Sequence, residues 1–130
     1  MMIDRVDHIV LTVRSLEATL SFYERALGFK RELRRGAPTA LRFGRQKINV
    51  HERERTFEPK AAEPTPGSAD FCLISLRPIE EMIAHLKDCG VGIELGPVAR
   101  HGALGPMTSV YFRDPDGNLV EVSRYDDKDA

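Results

Sequence analysis

The stretch VYFRDPDGNLVEV, residues 110–122, predicts two β-strands joined by a turn. Its two ends carry β-branched and aromatic residues that favour strands, whereas the central Asp-Pro-Asp-Gly-Asn is typical of a turn. Strand alternation places Glu121 on the face opposite to Val120 and Val122. Because an unpaired carboxylate among strand apolar residues is costly, Glu121 needs a cation, a metal or solvent as its partner.

The composition limits the classes of protein to which the chain can belong. Its 130 residues are enough for one compact domain, and 19 basic residues nearly balance 20 acidic ones without any basic run, so nucleic acid is not expected as a partner. No apolar stretch reaches the ~20 residues of a membrane span. The first residues lack the apolar core of a signal peptide, and Cys72 and Cys89 form no metal or redox motif and suit packing positions. We therefore expect a cytoplasmic protein.

The first part of the chain predicts the order strand, helix, strand, strand, strand. An alternating strand at about 5–13 is followed by Ser15, a good N-cap, and by apolar residues at helical spacing. Gly28 is suited to end that helix. Three short strands are then predicted at about 29–35, 39–43 and 47–52.

The same order returns after a polar, proline-containing segment at 53–67 that is read as a linker. A strand at 69–75 precedes a helix that Pro78 opens and Gly90 closes. A glycine-interrupted strand at 91–98, a loop at 100–107 and the opening pair of strands complete the set. The repeat predicts a single domain, 1–130, of two similar modules, at about 4–52 and 68–125.

Alternation along the predicted strands gathers isolated polar side chains on the faces that do not cover the helices. These side chains are His8, Arg42, Lys47, Asn49, His51, Asp70 and Glu121. Such a face is a natural cavity wall, and imidazole with carboxylate is the ligand set of a borderline divalent cation. The alternative is that His8 is a hydrogen-bonded core histidine and that Glu121 pairs with Arg42 or Arg113. The pattern alone leaves both open.

Several segments resemble the vicinal oxygen chelate superfamily, which comprises glyoxalases, bleomycin-resistance proteins and dioxygenases. They are VDHIVL at 6–11, FY at 22–23, LGF at 27–29 and FRDPDGNLVE at 112–121. Within this group the chain is most similar to short glyoxalase-domain proteins, through LRFG at 41–44, KIN at 47–49 and PTPGSAD at 64–70. The resemblance covers nearly the whole chain.

The resemblance implies an α+β fold of two βαβββ modules, whose eight strands form a cupped mixed sheet with the helices on its outer face. It also implies a divalent metal (zinc, nickel, manganese or iron) that holds two neighbouring substrate oxygens. His8 and Glu121 match ligands of the family. Asp70 stands where histidine is usual, and Asn49 stands where glutamate is frequent, with His51 two residues further on the same face.

The function implied is that of a lyase or isomerase of the glyoxalase type, similar to lactoylglutathione lyase, acting on a small molecule with adjacent oxygens. His8, His51, Asp70 and Glu121 would bind the metal, with His51 and Glu121 also catalytic, and Arg42 and Asn49 would contact substrate. Alternatives are a metal-free drug-binding protein, an extradiol dioxygenase and a thiol transferase. His101, on the predicted loop, is a further catalytic candidate. The family and the open sheet edges favour a homodimer.

Overall fold

The computed structural model describes residues 1–130, which divide into two compact units, Met1–Ser68 and Ala69–Ala130. Each unit contains one helix and a four-stranded mixed sheet. The α+β class and the order of elements in two modules are therefore confirmed. Neither helix is long and apolar enough to cross a membrane.

The first unit consists of β1 (His8–Val13), α1 (Leu16–Leu27), β2 (Lys30–Glu32), β3 (Thr39–Phe43) and β4 (Gln46–Glu52). The order in the sheet is β1-β4-β3-β2, with β1 parallel to β4 and the other pairs antiparallel. The strand predicted at 29–35 is shorter than expected, because the chain leaves the sheet for a turn around Gly36, where φ is +72°. The fold still has the predicted number of strands.

Helix α1 begins and ends where its local sequence directs. The Ser15 hydroxyl accepts a hydrogen bond of 3.2 Å from the backbone N–H of Ala18, and Gly28 closes the helix with φ of +70°. One face of the helix buries Leu20, Tyr23 and Ala26 completely or nearly so. The sheet supplies the other half of this core from one of its two faces, through Leu11, Val13, Leu41, Ile48 and Val50.

The second unit consists of β5 (Asp70–Ile74), α2 (Ile79–Asp88), β6 (Leu95–Gly102), β7 (Gly105–Arg113) and β8 (Leu119–Tyr125). The order is β5-β8-β7-β6, and β5 is parallel to β8. The prediction of a loop at 100–107 is wrong. A bulge between Leu95 and Val98 absorbs the Gly-Pro interruption, and pairing with β7 then continues to Gly102. His101 therefore lies on a strand, opposite Pro106.

The turn between β7 and β8 is held by its own side chains. The Asp114 carboxylate accepts backbone N–H bonds from Asp116 and Asn118 at 2.9 and 3.0 Å. The buried Asn118 amide donates to Asp114 and accepts from the backbone N–H of Ala69 at 2.9 Å. The turn thereby fixes the start of β5, next to Asp70.

Candidate functional site

One face of the first unit's sheet carries the polar side chains that the sequence singles out. The strand register aligns His8 with Lys47, Val10 with Asn49 and Thr12 with His51, and it aligns Lys47 with Arg42. Since paired residues project to the same side, these side chains share the face opposite to α1. We call this surface the polar face of the first unit; its polar members are His8, Thr12, Lys30, Glu32, Arg42, Lys47, Asn49 and His51.

His8 has the arrangement that metal-binding histidines often show. Its Nδ1 lies 2.8 Å from the Asp7 carboxylate, and its side chain is 42% exposed. The hydrogen bond to His8 holds the pKa of the Asp7 carboxyl below its usual range. A carboxylate on one ring nitrogen fixes the tautomer and leaves Nε2 available as a ligand. His8 thus has one nitrogen that is open to a metal or a substrate.

His51 is placed differently from His8. It is only 4% exposed, its ring lies 5.4 Å from the ring of Phe57, and its Nδ1 has no hydrogen-bond partner. Burial, reinforced by the positive charge of Lys60, lowers the pKa of His51. The imidazole is therefore neutral at pH 7, which is the form that can bind a metal or accept a proton.

The register separates His51 from His8 along the sheet. His8 is level with Lys47, so His51 lies four residues further along β4, about 13 Å at ~3.3 Å per residue. Asn49 lies halfway between those positions, and its Oδ1 is buried without a hydrogen-bond partner. The structure therefore brings Asn49 nearer to His8 than it brings His51.

Glu121 lies in the middle of the second unit's sheet. It is level with Cys72 on β5 and with Tyr111 on β7, and it is half-buried. One carboxylate oxygen accepts a hydrogen bond of 3.2 Å from Ser123, and the other oxygen has no hydrogen bond. Asp70 projects from the same face two residues earlier in the register and is exposed. Two carboxylates thus project from the same face of this sheet, on neighbouring strands.

Sequence reasoning missed the group of small polar side chains beside Glu121. The Cys72 thiol lies 3.2 Å from the Ser123 hydroxyl, which lies 2.6 Å from that of Ser109. Burial of the sulfur and the neighbouring Glu121 charge raise the pKa of Cys72, so the thiol is protonated at neutral pH. Cys72 was expected to pack in the core, but it lies on the polar side. Its shared parity with Asp70 was the available signal.

The two arginines have different surroundings. Arg42 forms an ion pair through Nε with Glu32, and its side chain is 55% exposed. Arg113 forms two hydrogen bonds of 3.0 Å with Glu94 and donates to the carbonyl of Gly117 at 3.2 Å. Arg113 therefore supports the turn before β8, and Arg42 remains the arginine of the polar face.

Each unit carries a donor of a type that binds zinc or nickel. Neither unit by itself brings together three or more histidine, cysteine, aspartate or glutamate side chains around one point. In the first unit His8 offers an imidazole nitrogen that is oriented by a carboxylate, and in the second Glu121 offers an oxygen without a partner. Imidazole and carboxylate are suitable ligands for such ions.

Comparison with known proteins identifies close relatives. The model of the Glyoxalase/Bleomycin resistance protein/Dioxygenase superfamily matches residues 5–122. Virulence protein STM3117 of Salmonella typhimurium is 51% identical over 96% of this chain and 87% of its own length. The glyoxalase domain-containing protein RDO1 of Mycosarcoma maydis is 44% identical over 94% of this chain and 69% of its own. The crystal structure of STM3117 superposes with a TM-score of 0.94, covering 96% of this chain and 99% of that one.

More distant structures share the fold. Lactoylglutathione lyase from Agrobacterium tumefaciens has a TM-score of 0.70 at 23% identity, covering 92% of each chain. TnmS3, an antibiotic binding protein from Streptomyces sp. CB03234, has a TM-score of 0.74 at 20% identity, covering 96% of this chain and 98% of that one. An enzyme and a binding protein thus have the same fold, so the fold does not choose between these functions.

Proposed function

The chain belongs to the glyoxalase/bleomycin resistance protein/dioxygenase superfamily, and on this premise we propose that it is a metal-dependent lyase or isomerase of the glyoxalase type. Its substrate would be a small molecule with adjacent oxygens, and its metal zinc, nickel, manganese or iron. The observation that carries the proposal is the state of His8. Its Nδ1 is bonded to Asp7, and its Nε2 is free, as in a metal ligand with an orienting carboxylate.

Different residues of the chain would have different roles in the reaction. A bound divalent ion polarises the substrate oxygens and stabilises negative charge that develops on them. His8 and Glu121 would hold the ion, and Asp70 would add a third ligand or an outer hydrogen bond. With the Glu121 oxygen that lacks a hydrogen bond placed on the ion, the second Glu121 oxygen, which Ser123 contacts, would accept a proton from the substrate carbon. Asn49, whose Oδ1 lacks a partner, would orient a substrate group.

His51 ranks below Glu121 as base and as ligand in this proposal. Its neutral imidazole is suited to either role, but Phe57 lies against the ring and only 4% of the residue is exposed. An extradiol dioxygenase would need two histidines and a carboxylate on one iron. The separation of about 13 Å between the register positions of His8 and His51 argues against an extradiol dioxygenase.

A second candidate function is a metal-free binding protein for a drug-like molecule. The observation in its favour is the pair of replacements at family ligand positions, Asn49 for glutamate and Asp70 for histidine. The fold shared with TnmS3 is compatible with it. In that case the polar face of the first unit would line the binding cavity.

The first test is the metal content of protein purified without chelator and without nickel resin, measured by elemental mass spectrometry. We expect about one tightly bound ion per chain. His8→Ala should lose the ion while its circular dichroism spectrum stays unchanged. His85→Ala, at an exposed position of α2, is the matched control and should keep it.

Two results would count against the enzyme. One is wild-type protein that is purified empty and takes up none of the four metals when they are added. The other is His8→Ala with undiminished metal content. The first result would favour the binding protein, and the second would remove His8 from the site.

A further inference from the structure

Positively charged and imidazole side chains form one straight row across the first unit's sheet. The register places His8 on β1 level with Lys47 on β4, Lys47 level with Arg42 on β3, and Arg42 level with Lys30 on β2. All four project from the polar face. We call these four residues the basic row.

The carboxylates near this row leave part of its charge unpaired. Asp7 is bonded to His8, and Glu32 is bonded to Arg42. Lys47 and Lys30 form no ion pair, although the Asp7 charge acts on Lys47 from a longer distance. Like charges directly opposite each other on neighbouring strands are destabilising. An anion bound between Lys47 and Arg42 would remove this repulsion.

Arg42 keeps donors for such an anion. Its ion pair with Glu32 has its shortest contact at Nε, and no hydrogen bond from either terminal nitrogen accompanies it. Terminal guanidinium nitrogens and a lysine ammonium together suit an oxyanion with two or three oxygens. Lys47 and Arg42 therefore offer a cationic binding site. It lies on β4 and β3, and β4 is the neighbour of the strand that carries His8.

A separate observation extends the site along β4. Asn49 lies on the same face two residues beyond Lys47, and its Oδ1 is buried without a hydrogen-bond partner. Two residues further, His51 is 4% exposed, and its Nδ1 also has no partner. Buried polar atoms without partners are unfavourable, and a ligand that carries hydroxyl or amide groups would satisfy them.

We propose that the polar face binds a small organic acid, with its carboxylate on Lys47 and Arg42 and a neighbouring oxygen-bearing group at Asn49. Adjacent strands are about 4.8 Å apart, and alternate residues along a strand are about 6.6 Å apart. A binding site bounded by Lys47, Arg42 and Asn49 therefore has the size of a three- to five-carbon acid. This inference rests on the proposed function and narrows its substrate to a 2-hydroxy acid, because the Asn49 Oδ1 can accept a hydrogen bond from a hydroxyl but not from a keto oxygen.

The test is isothermal titration of the protein as purified with L-lactate, lactamide and inorganic phosphate. Lactate should bind, whereas lactamide, which has the same shape without the charge, should not. Lys47→Gln and Arg42→Gln should each weaken lactate binding at least about fivefold, as expected for the loss of one charge-assisted contact. Arg45→Gln, on the exposed turn between β3 and β4, is the matched control and should bind as the wild type does.

Three results would overturn the inference: no lactate binding, equal binding of lactamide, or an equal loss in Arg45→Gln. Phosphate binding tighter than lactate, with the same dependence on Lys47 and Arg42, would overturn the carboxylate in favour of a phosphate group. The melting temperature of each variant checks that it is folded. The metal assay is independent of this one: a chain without metal that still binds lactate through Lys47 would reject the enzyme and keep the anion site.

Discussion

At the residue scale, Asp7 determines which nitrogen of His8 is free. The bond of 2.8 Å to Nδ1 favours the tautomer whose Nε2 can bind a metal. Asp7→Asn should therefore weaken metal binding about tenfold without removing it. A tenfold loss is the smallest effect expected for a carboxylate that orients a metal-binding histidine, and we expect it here because Asp7 is 78% exposed. Competition with a chromogenic chelator measures the affinity. Asp4→Asn is the control, and a loss as complete as that of His8→Ala would instead make Asp7 a ligand.

His51 carries a pH dependence whose sign follows from its burial. Its pKa is lowered in the folded chain, so the unfolded chain binds the proton more readily as the pH falls below about 6.5. The free energy of unfolding of metal-free protein should therefore decrease between pH 7 and pH 5.5. Urea denaturation across this range should show a shallower decrease for His51→Gln. An unchanged slope would mean that the ring is protonated at no cost in the folded state.

At the element scale, the turn between β7 and β8 is the segment most sensitive to substitution. Asn118 is buried, and its side chain joins Asp114 to the backbone of Ala69. Asn118→Ala would leave both groups without their partner, so we expect a loss of about 2–3 kcal/mol in the free energy of unfolding. Asp127→Ala, at an exposed position near the end of the chain, should cost little. Chemical denaturation compares them, and similar losses would show that the turn is not special.

The helices and strands differ in how well they can be predicted from the sequence. Helix α1 follows from Ser15, Gly28 and the apolar spacing between them, because capping and helical periodicity are local properties. The full length of strand β6 could not be predicted from the local sequence. Its Gly96-Pro97 pair is typical of a loop, and only pairing with β7 carries the strand through a bulge to Gly102.

At the scale of the whole molecule, the sheet edges suggest how chains associate. Strands β1 and β5 each pair with a neighbour on one side only, and Ile9 and Val10 on β1 are 38% and 46% exposed. An open edge with exposed apolar residues favours pairing with a second chain. We expect a homodimer, measured as twice the mass of one chain by light scattering after gel filtration.

A charge on that edge gives the matching experiment. Ile9→Lys should shift the dimer towards monomer, because a lysine on an edge strand opposes pairing. Leu33→Lys, which is 68% exposed and lies outside the strands, should leave the mass unchanged. A wild-type chain that is monomeric at micromolar concentration would contradict the expected homodimer.

Local pattern was enough to predict the repeat of elements, the ends of α1, the turn before β8 and the placement of His8, Asn49 and Glu121 away from the helices. Those properties depend on periods of 2 and 3.6 residues, which are visible in any short window. The position of Lys47 between His8 and Arg42, and the contact of Phe57 with the His51 ring, became visible only in the folded structure. Register joins strands that are distant in sequence, and burial depends on what packs against them, so neither can be read from local pattern.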